Sequence, residues 1–372
     1  MLRLLTIIVF LFFTRALCAQ NEATDTLSAE ENTAAAEKRS QLSGYPYVYY
    51  TPETSLAFGV GGIYTFYTSP SLNLSPSSIT IGGYYTINNQ YKVTLKPIVY
   101  AKDDAFYFSL PIAFGHYIDK FYGVGTNTPE IENADYLKDV FDVSLIVQGP
   151  PFLFACDRLG LIIDFNKTII TEAYKQENIL LESDSLFGVN GGWNVGIGGE
   201  LVWDSRDNVF YPTTGSYQRI KMVSYPFNNE LIFANFETDV RQYYNLKNKN
   251  VFAAQFFLTI SGGETPFYKL SSLGGQYRMR GYYEGRYRDN VYMMMQAEYR
   301  QYFYKNFGFV AFAGAGNVSN NITKFSIDNV KISYGGGLRY LFNKKEGVNL
   351  RADYGRTLDN SSGFYFGIEE AF

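Results

Sequence analysis

Hydrophobic and polar residues alternate with a period of two along most of the chain after Tyr45. Because successive side chains of a strand point to opposite faces, each alternating segment predicts a strand with one apolar and one polar face. The clearest such segments are 79–87, 91–100, 232–244, 291–303 and 348–354. In 291–303 the apolar face holds Val291, Met293, Met295, Ala297 and Tyr299, and the polar face holds Gln296, Glu298 and Arg300. The pattern therefore predicts an all-β chain.

About sixteen strands can be counted in this way, an even number as bacterial membrane barrels have. Short polar connections alternate with long ones at 122–138, 171–192 and 261–290, which is also typical of such barrels. The predicted strands start near Tyr45, Ser55, Ser77, Tyr91, Ala105, Asp139, Leu159, Trp193, Ser216, Leu231, Val251, Val291, Phe307, Val330, Val348 and Gly363.

A soluble β-sandwich would give the same alternation with its apolar face inward, so the period alone leaves both architectures open. The composition favours a membrane barrel over a soluble sandwich. Aromatic residues make up 18% of the chain, with 33 Tyr and 31 Phe, and they crowd the strand ends, where interface girdles lie. The net charge of −4 argues against a nucleic-acid partner, which needs a basic face. We therefore predict a transmembrane antiparallel β-barrel of about sixteen strands, with outer-membrane lipid as a partner.

The N-terminus predicts the compartment. Arg3 precedes an apolar run at 4–13, and small residues at 16–19 offer a cleavage site, as in a secretory signal peptide. We therefore predict a signal peptide at 1–19, a flexible periplasmic lead at 20–44 and an outer-membrane barrel at 45–372. Cleavage would leave Cys156 as the single cysteine, which excludes an internal disulfide.

The most unusual stretch is 273–289, which contains four arginines, four glycines and four tyrosines between two predicted strands. Long polar connections of this kind are often functional. One interpretation is a solvated hairpin loop outside the cell. The other is a loop that folds back into a polar lumen, where its arginines pair with carboxylates.

Catalytic and metal-binding candidates are few. The single histidine, His116, lies on an apolar face by parity, and Ser109 lies on the opposite face. The glycines at 196–199 lie within a strand and open no helix, so they do not predict a phosphate loop. Without a His/Cys cluster, the sequence predicts no metal, no cofactor and no enzymatic activity.

Two further segments have specific residue patterns, a turn at 203–215 that can have a purely structural role and the last strand of the chain. Residues 203–215 read as a strand end followed by a charged turn, with local pairing of the charges and a turn fixed by proline and glycine. Its key residues are Asp204, Arg206, Asp207, Pro212 and Gly215. The chain ends in an alternating aromatic strand that resembles the signal by which outer-membrane barrels are recognised for insertion, which implies the barrel assembly machinery as a partner. The residues of this predicted insertion signal are Phe364, Phe366, Ile368 and Phe372.

The turn at 203–215 resembles the Asp-x-Arg-Asp-(x)n-Pro-x-x-Gly signature of the BamA/TamA-type outer-membrane assembly and translocation superfamily, also called the bacterial surface antigen family. Residues 278–282 resemble the Val-Arg-Gly-Phe/Tyr loop motif of that superfamily, in the expected connection between the eleventh and twelfth strands. Segments 122–128 and 309–318 also match in order. The resemblance extends from about residue 45 to residue 372.

This resemblance implies a loop that enters the lumen, with Arg280, Gly281 and Tyr282 as latch residues and Glu298 as the acidic partner of Arg280. Two features depart from the family pattern. Only about 25 residues precede the predicted barrel, where relatives carry periplasmic substrate-binding modules, so a barrel-only member with a separate periplasmic partner is expected. Gly314 stands where many relatives carry an inner-wall Asp, so fewer carboxylates are expected around Arg280. Glu237 and Asp239 are the other candidate partners.

Three functions remain open at this point. The first is aiding the insertion or translocation of proteins, or of lipids, at the outer membrane through a weak seam between the first and last strands. The second is a passive plugged channel or structural barrel. The third, an enzyme centred on His116, has no partner motif in the sequence.

Overall fold

The computed structural model describes residues 41–51, 54–68, 75–102, 104–131, 134–152, 154–171, 178–182, 186–228, 231–246, 250–343 and 347–372. The predicted signal peptide (1–19) and residues 20–40 of the predicted lead lie outside this set. The described residues all belong to one structural unit. Within the described residues, no helix is long and apolar enough to cross a membrane.

Strands account for almost all of the regular structure. Within the described residues, short 3-10 helices lie at Ile179–Glu182, Phe267–Lys269 and Ile322–Lys324. The strands are β1 (Gln41–Thr51), β2 (Ser55–Phe66), β3 (Ser77–Thr86), β4 (Tyr91–Ala101), β5 (Phe106–Ser109), β6 (Ile112–Lys120), β7 (Asp135–Gly149), β8 (Arg158–Ile170), β9 (Gly191–Asp204), β10 (Gly215–Tyr225), β11 (Phe233–Asn245), β12 (Val251–Gly263), β13 (Ser271–Leu273), β14 (Tyr287–Asp289), β15 (Val291–Tyr304), β16 (Phe307–Ser319), β17 (Lys331–Asn343), β18 (Val348–Thr357) and β19 (Ser362–Ile368).

Seventeen of these strands form one antiparallel sheet, and β13 and β14 form a small second sheet inside the β12–β15 connection. Both β5 and β6 pair with β4 on one side and with β7 on the other. They therefore occupy one position, interrupted at Pro111, which has no N–H to donate to a ladder. Sixteen positions result, which confirms the predicted number of about sixteen. The first strand begins at Gln41, four residues before the predicted start.

The two faces of the sheet differ as a membrane barrel requires. Large apolar side chains point outward and stay exposed, whereas charged side chains such as Glu298 and Arg300 are buried on the inner face. Outward residues that are more than half exposed include Phe58, Val60, Ile81, Met222 and Leu338. The structure thereby resolves the choice that the period of two had left open, in favour of the barrel over the sandwich.

The direction of each strand determines at which of the two edges of the barrel a connection lies. Because neighbouring strands are antiparallel, the long connections at 121–134, 171–190 and 264–290 all leave from one edge, called the loop edge here. The β9–β10 connection (205–214), the start of β1 and the end of β19 lie at the other edge, the turn edge. The Cα atoms of β1 and β19 come within 8 Å of each other, but no ladder joins these two strands in the part of the chain that the structure describes.

Candidate functional site

The β12–β15 connection, residues 264–290, is called the central loop here, and it folds into the lumen. A left-handed bend at its tip makes this possible, with φ of 50° at Met279 and 112° at Gly281. A Cβ at Gly281 would lie 3.0 Å from the backbone nitrogen of Arg356, so only glycine fits without displacement. Gly355, on the barrel wall opposite the tip, is restricted in the same way, because a Cβ there would lie 2.5 Å from the carbonyl carbon of Arg280. Backbone therefore packs directly on backbone at the tip.

Arg280, at this tip, is 1% exposed and paired with two buried carboxylates. Its Nη1 donates to Asp353 Oδ2 at 2.6 Å, and its Nη2 donates to Glu298 Oε1. Its guanidinium also stacks on Phe312, with 3.6 Å between Cζ and the ring centroid. A buried guanidinium is tolerated only when it is paired, and these contacts satisfy that requirement.

The pairing extends beyond Arg280 into a closed set, which we call the ion-pair ring. Three arginines alternate with three carboxylates, so each charge has an opposite charge on both sides. Every neighbouring pair of side chains comes within 4.0 Å. In order, the members are Arg280, Glu298, Arg300, Glu370, Arg339 and Asp353. The ring joins the central loop to β15, β17 and β18 and to the residues that follow β19.

Tyr365 gives the central loop a second connection to β19. Its hydroxyl accepts a hydrogen bond from Gly281 N at 2.9 Å and lies 3.3 Å from the carbonyl oxygen of Tyr282. The hydroxyl of Tyr282 in turn donates to Asp359 Oδ2 at 3.3 Å. Burial, with the nearby Asp359 carboxylate, raises the pKa of Tyr282 above its ordinary value, so the phenol stays neutral and donates.

A second ionic site, called the rim cluster here, holds the other end of the central loop. Asp119 on β6 accepts hydrogen bonds from Arg288 at 3.0 Å, Lys138 at 2.6 Å and Tyr136 at 2.9 Å. Burial disfavours the guanidinium of Arg288, but the Asp119 carboxylate outweighs this effect and raises the pKa of Arg288 above its ordinary value. The loop is therefore fastened to opposite stretches of the wall, β15–β18 and β6–β7.

Further contacts fill the space between the two sites. Lys269 lies 3.7 Å from Asp142 of β7, and Arg286 donates to the side chain and backbone oxygens of Thr128, at 3.0 and 2.9 Å. A cavity of ≈300 Å³ remains beside the loop, lined in part by Asp142 and Lys269. The loop thus occupies the lumen at several depths.

The structure brings together the predicted latch residues Arg280, Gly281, Tyr282 and Glu298. Asp353 is a second carboxylate partner that sequence reasoning missed, although its inward parity on β18 was visible. Gly314 lies beneath the loop, where a Cβ would lie 3.1 Å from Met279 Sδ. The other two candidate partners lie elsewhere, because Glu237 pairs with Arg219 and Asp239 pairs with Arg241.

The predicted turn signature, Asp204, Arg206, Asp207, Pro212 and Gly215, lies in the β9–β10 connection. Arg206 donates twice to Asp204, at 2.8 and 2.7 Å, and Asp207 accepts from the backbone nitrogens of Thr213 and Thr214, at 2.8 and 3.1 Å. Burial acts to raise the pKa of Asp207, but the hydrogen bonds from Thr213 and Thr214 together outweigh burial and lower it. Gly215 has φ of 90°, and a Cβ there would lie 2.0 Å from Ser205 O. These contacts close the turn locally.

The predicted insertion signal is divided between two environments. Phe364 and Ile368 are exposed on the outer face of β19, and Phe366 shares that face. Phe372 is buried, because the chain turns inward after Ile368, with φ of 69° at Glu369. Glu370 and Phe372 thus reach the lumen, a contact that no pattern in the sequence indicated.

His116 lies on the outer face by pairing register, opposite Asp139, and its Nδ1 is 2.6 Å from Asp139 Oδ1. Its ring also stacks on Tyr91, with 5.5 Å between centroids. Within the described residues, no group of three or more His, Cys, Asp or Glu side chains is placed to hold a metal ion.

Comparisons with known proteins agree with this architecture. BamA from Haemophilus ducreyi lacking POTRA domains 1–3, a crystal structure, matches with a TM-score of 0.60 and 15% identity, over 89% of this chain and 70% of that chain. CdiB from Acinetobacter baumannii matches with a TM-score of 0.54 and 11% identity, over 88% of this chain and 59% of that chain. At these identities the likeness concerns the fold alone.

A search of curated proteins gives no match. A family model does match: the Omp85 superfamily domain covers residues 163–372, more than half of the chain. That range contains every residue of the ion-pair ring and the turn signature. The chain therefore belongs to the Omp85 superfamily and is an outer-membrane β-barrel protein.

Proposed function

We propose that this protein aids the insertion or translocation of proteins, or of lipids, at the outer membrane through the seam between β1 and β19. The observation that carries the proposal is the close approach of these two strands without a ladder in the described residues. All the other neighbouring positions of the barrel are joined by ladders. Membership of the Omp85 superfamily and the likeness to BamA and CdiB support it.

The mechanism follows from the chemistry of a strand edge. An unpaired edge presents N–H and C=O groups that an incoming strand can pair with. β1 has 11 residues and β19 has seven, so part of the β1 edge extends beyond its neighbour. The central loop keeps the lumen filled while the seam exchanges partners. Its contact to Tyr365, together with the pairing of Arg339 on β17 with Glu370, holds the β19 side of the seam.

The partners follow from the same arrangement. Outer-membrane lipid contacts the apolar outer face, and the barrel assembly machinery inserts the chain by way of the aromatic outer face of β19. We assign the turn edge to the periplasm, where a separate protein would supply clients to the seam. No step requires a cofactor or bond-breaking chemistry, so the proposed function is not enzymatic.

A disulfide across the seam tests the proposal. In a Cys156→Ser background, cysteine pairs are introduced between residues 42–50 of β1 and 362–368 of β19, and the levels of folded outer-membrane proteins are measured in a depletion strain. We expect oxidation of a crosslinked pair to lower these levels to those of the depleted strain. The matched control is a disulfide across the paired strands β10 and β11, between Gln218 and Val240, which should leave them unchanged. Normal levels with a fully locked seam would rule the proposal out.

The alternative, a passive plugged channel or structural barrel, is favoured by one specific observation, the central loop held in the lumen at several depths. Conductance in planar bilayers distinguishes the two. If Arg280→Ala opens a stable pore and depletion leaves the other outer-membrane proteins at normal levels, the channel is the better account.

A further inference from the structure

Residues 369–372, which follow β19 and are called the tail segment here, occupy a lumenal pocket at the turn edge. Glu369 turns the chain through a left-handed backbone conformation, φ 69°, which a glutamate rarely adopts. Its backbone nitrogen donates to Asn349 O at 2.8 Å. The segment therefore leaves the direction of β19 at one defined residue and enters the lumen.

Glu370 is the acidic anchor of the tail segment. Its Oε2 accepts from Arg339 Nε at 2.7 Å, and its Oε1 accepts from Asn349 Nδ2 at 2.8 Å. Arg300 Nε lies 4.0 Å from the same carboxylate. Both oxygens are thus held by donors on the wall, a geometry that selects a carboxylate over a neutral side chain.

Phe372 is the aromatic anchor, two residues further on. Its ring packs in a buried cluster with Tyr243, Ala253 and Ala371. Its backbone oxygen accepts from Arg300 Nη2 at 2.7 Å, and the guanidinium of Arg300 lies 5.4 Å from its ring centroid. The pocket therefore binds both an aromatic side chain and a main-chain oxygen of the same residue.

The pocket has more donors than the tail segment uses. Arg300 is 1% exposed and Arg339 is 2% exposed, yet Arg300 Nη1 and Arg339 Nη2 have no hydrogen-bond partner among the described residues. Unpaired buried donors are uncommon in native proteins, and each leaves a desolvation cost uncompensated. The wall is therefore equipped to bind a more anionic segment than the one that occupies it.

We propose that this pocket, formed by Tyr243, Ala253, Arg300, Arg339 and Asn349, is a recognition site for peptide segments that carry a carboxylate and, two residues later, an aromatic side chain. The tail segment is its occupant in cis. The inference rests on the proposed function, because the occupant in trans would be such a segment of a client protein. A client carboxylate in the place of Glu370 keeps the ion-pair ring closed while β19 is free to move.

Occupancy in cis determines how the site responds to peptide. A tethered segment acts at a millimolar effective concentration, so it excludes a free peptide of ordinary affinity. Removal of the cis anchors should therefore expose the site. The variant E370Q/F372A, in the full-length protein, removes the charge and the ring but keeps the chain length.

Fluorescence anisotropy of a labelled peptide, acetyl-Ile-Glu-Glu-Ala-Phe, tests the inference on purified protein in lipid nanodiscs. A peptide that only paired with the seam edge would do so through its backbone, so a control peptide of the same length would bind equally well. We expect binding to E370Q/F372A to be about tenfold or more tighter than to the wild type, since the tethered competitor is gone. The control peptide, with Gln-Gln and Ala in the places of Glu-Glu and Phe, should not bind.

Two further variants test whether the peptide binds in this pocket. Asn349→Ala in the E370Q/F372A background removes a carboxylate donor and should weaken the peptide by about tenfold, the size of one hydrogen bond to a charge. Phe372→Ala alone keeps Glu370 in the ring and should give intermediate affinity. It therefore preserves the test if the double variant does not fold. Equal binding to wild type and both vacated variants, or binding of the control peptide, overturns the inference.

The outcomes separate this inference from the proposed function. Peptide binding to the vacated pocket, together with normal outer-membrane protein levels after seam locking, would refute the proposed function and leave the pocket in place. Loss of those levels with no peptide binding would refute the pocket and leave the seam.

Discussion

The ion-pair ring and the rim cluster hold the same loop by different arrangements of charge. In the ring, Arg280 and its two carboxylates have side chains that are 1% exposed or less, and every charge lies between two opposite charges. In the rim cluster, Asp119 alone serves two cations and a phenol, and its side chain is 15% exposed. The ring is a closed alternating set, whereas the rim cluster depends on one carboxylate.

This difference determines which substitutions should destabilise the protein most. Removing one member of a buried pair leaves an uncompensated charge, which costs more than the pair contributes. In the ring, loss of Arg280 leaves Glu298 and Asp353 with fewer cations at the deepest point of the lumen. In the rim cluster, loss of Arg288 leaves Asp119 still paired with Lys138. The ring should therefore be the sensitive attachment of the loop and the rim cluster the tolerant one.

The largest effect is expected for Arg280→Ala. It should lower the free energy of unfolding by about 3–5 kcal/mol, the cost of breaking a buried ion pair. Urea unfolding in lipid vesicles measures this quantity. The matched control is Arg278→Ala in the same loop, whose guanidinium stacks on Phe257 at 3.7 Å. It should cost only about 1–2 kcal/mol, the size of a desolvated cation–π contact. Equal costs for both variants would show that the ion pairs of Arg280 contribute no more than the cation–π contact of Arg278.

Within the rim cluster, we expect Asp119→Asn to destabilise more than Arg288→Met. The first change leaves Lys138 and Arg288 facing each other without a counter-charge, which should cost about 2–3 kcal/mol. The second leaves the Lys138–Asp119 pair intact and should cost about 1 kcal/mol. The same vesicle unfolding measurement ranks them. A larger cost for Arg288→Met would mean that Lys138 does not compensate Asp119.

Tyr365→Phe isolates the connection between the loop and β19. It removes one hydroxyl that contacts Gly281 N and Tyr282 O, without changing any charge in either site. We expect a loss of about 1–2 kcal/mol, since a buried donor is left without its acceptor. Protease cleavage of the central loop in intact vesicles should increase in this variant. No change in cleavage would show that β19 does not hold the loop.

The smallest effect is expected for Asp207→Ala in the turn signature, because its hydrogen bonds are local to the β9–β10 connection. Asp207 is largely exposed, so the loss should be about 0.5–1 kcal/mol. Its folded pKa is lowered, so its contribution is present above the unfolded pKa of about 4 and disappears as the pH falls through the folded value. The difference in unfolding free energy between wild type and variant should therefore be smaller at pH 3 than at pH 7. A larger effect than that of Arg288→Met would assign the turn more than a local role.

Much of the fold could be predicted from the sequence, because a period of two reports strands directly. The number of positions followed from counting alternating segments, and Glu298 could be assigned to the polar face from its parity alone. The break at Pro111 was harder to predict, since β5 and β6 continue one strand position on either side of it. The direction of the apolar face required composition as well as period.

The site was only partly predictable, for a physical reason. Parity placed Asp353 on an inner face but could not show which inward carboxylate lies opposite Arg280 across the lumen, because that depends on barrel closure. The inward turn occurs at Glu369, which has a left-handed backbone conformation although it is not a glycine. The sequence therefore contains no local signal for this turn. The ring therefore became visible only when strands distant in sequence came together.

The central claim is that Arg280 holds the central loop in the lumen by pairing with Glu298. A double-mutant cycle with Arg280→Met and Glu298→Gln, read as free energies of unfolding in lipid vesicles, tests it most directly. We expect the double variant to be less destabilised than the sum of the single variants by about 1–3 kcal/mol, as for residues in one ionic network. Strictly additive destabilisation would show that the two side chains do not interact, and the loop would then be held only by its other contacts.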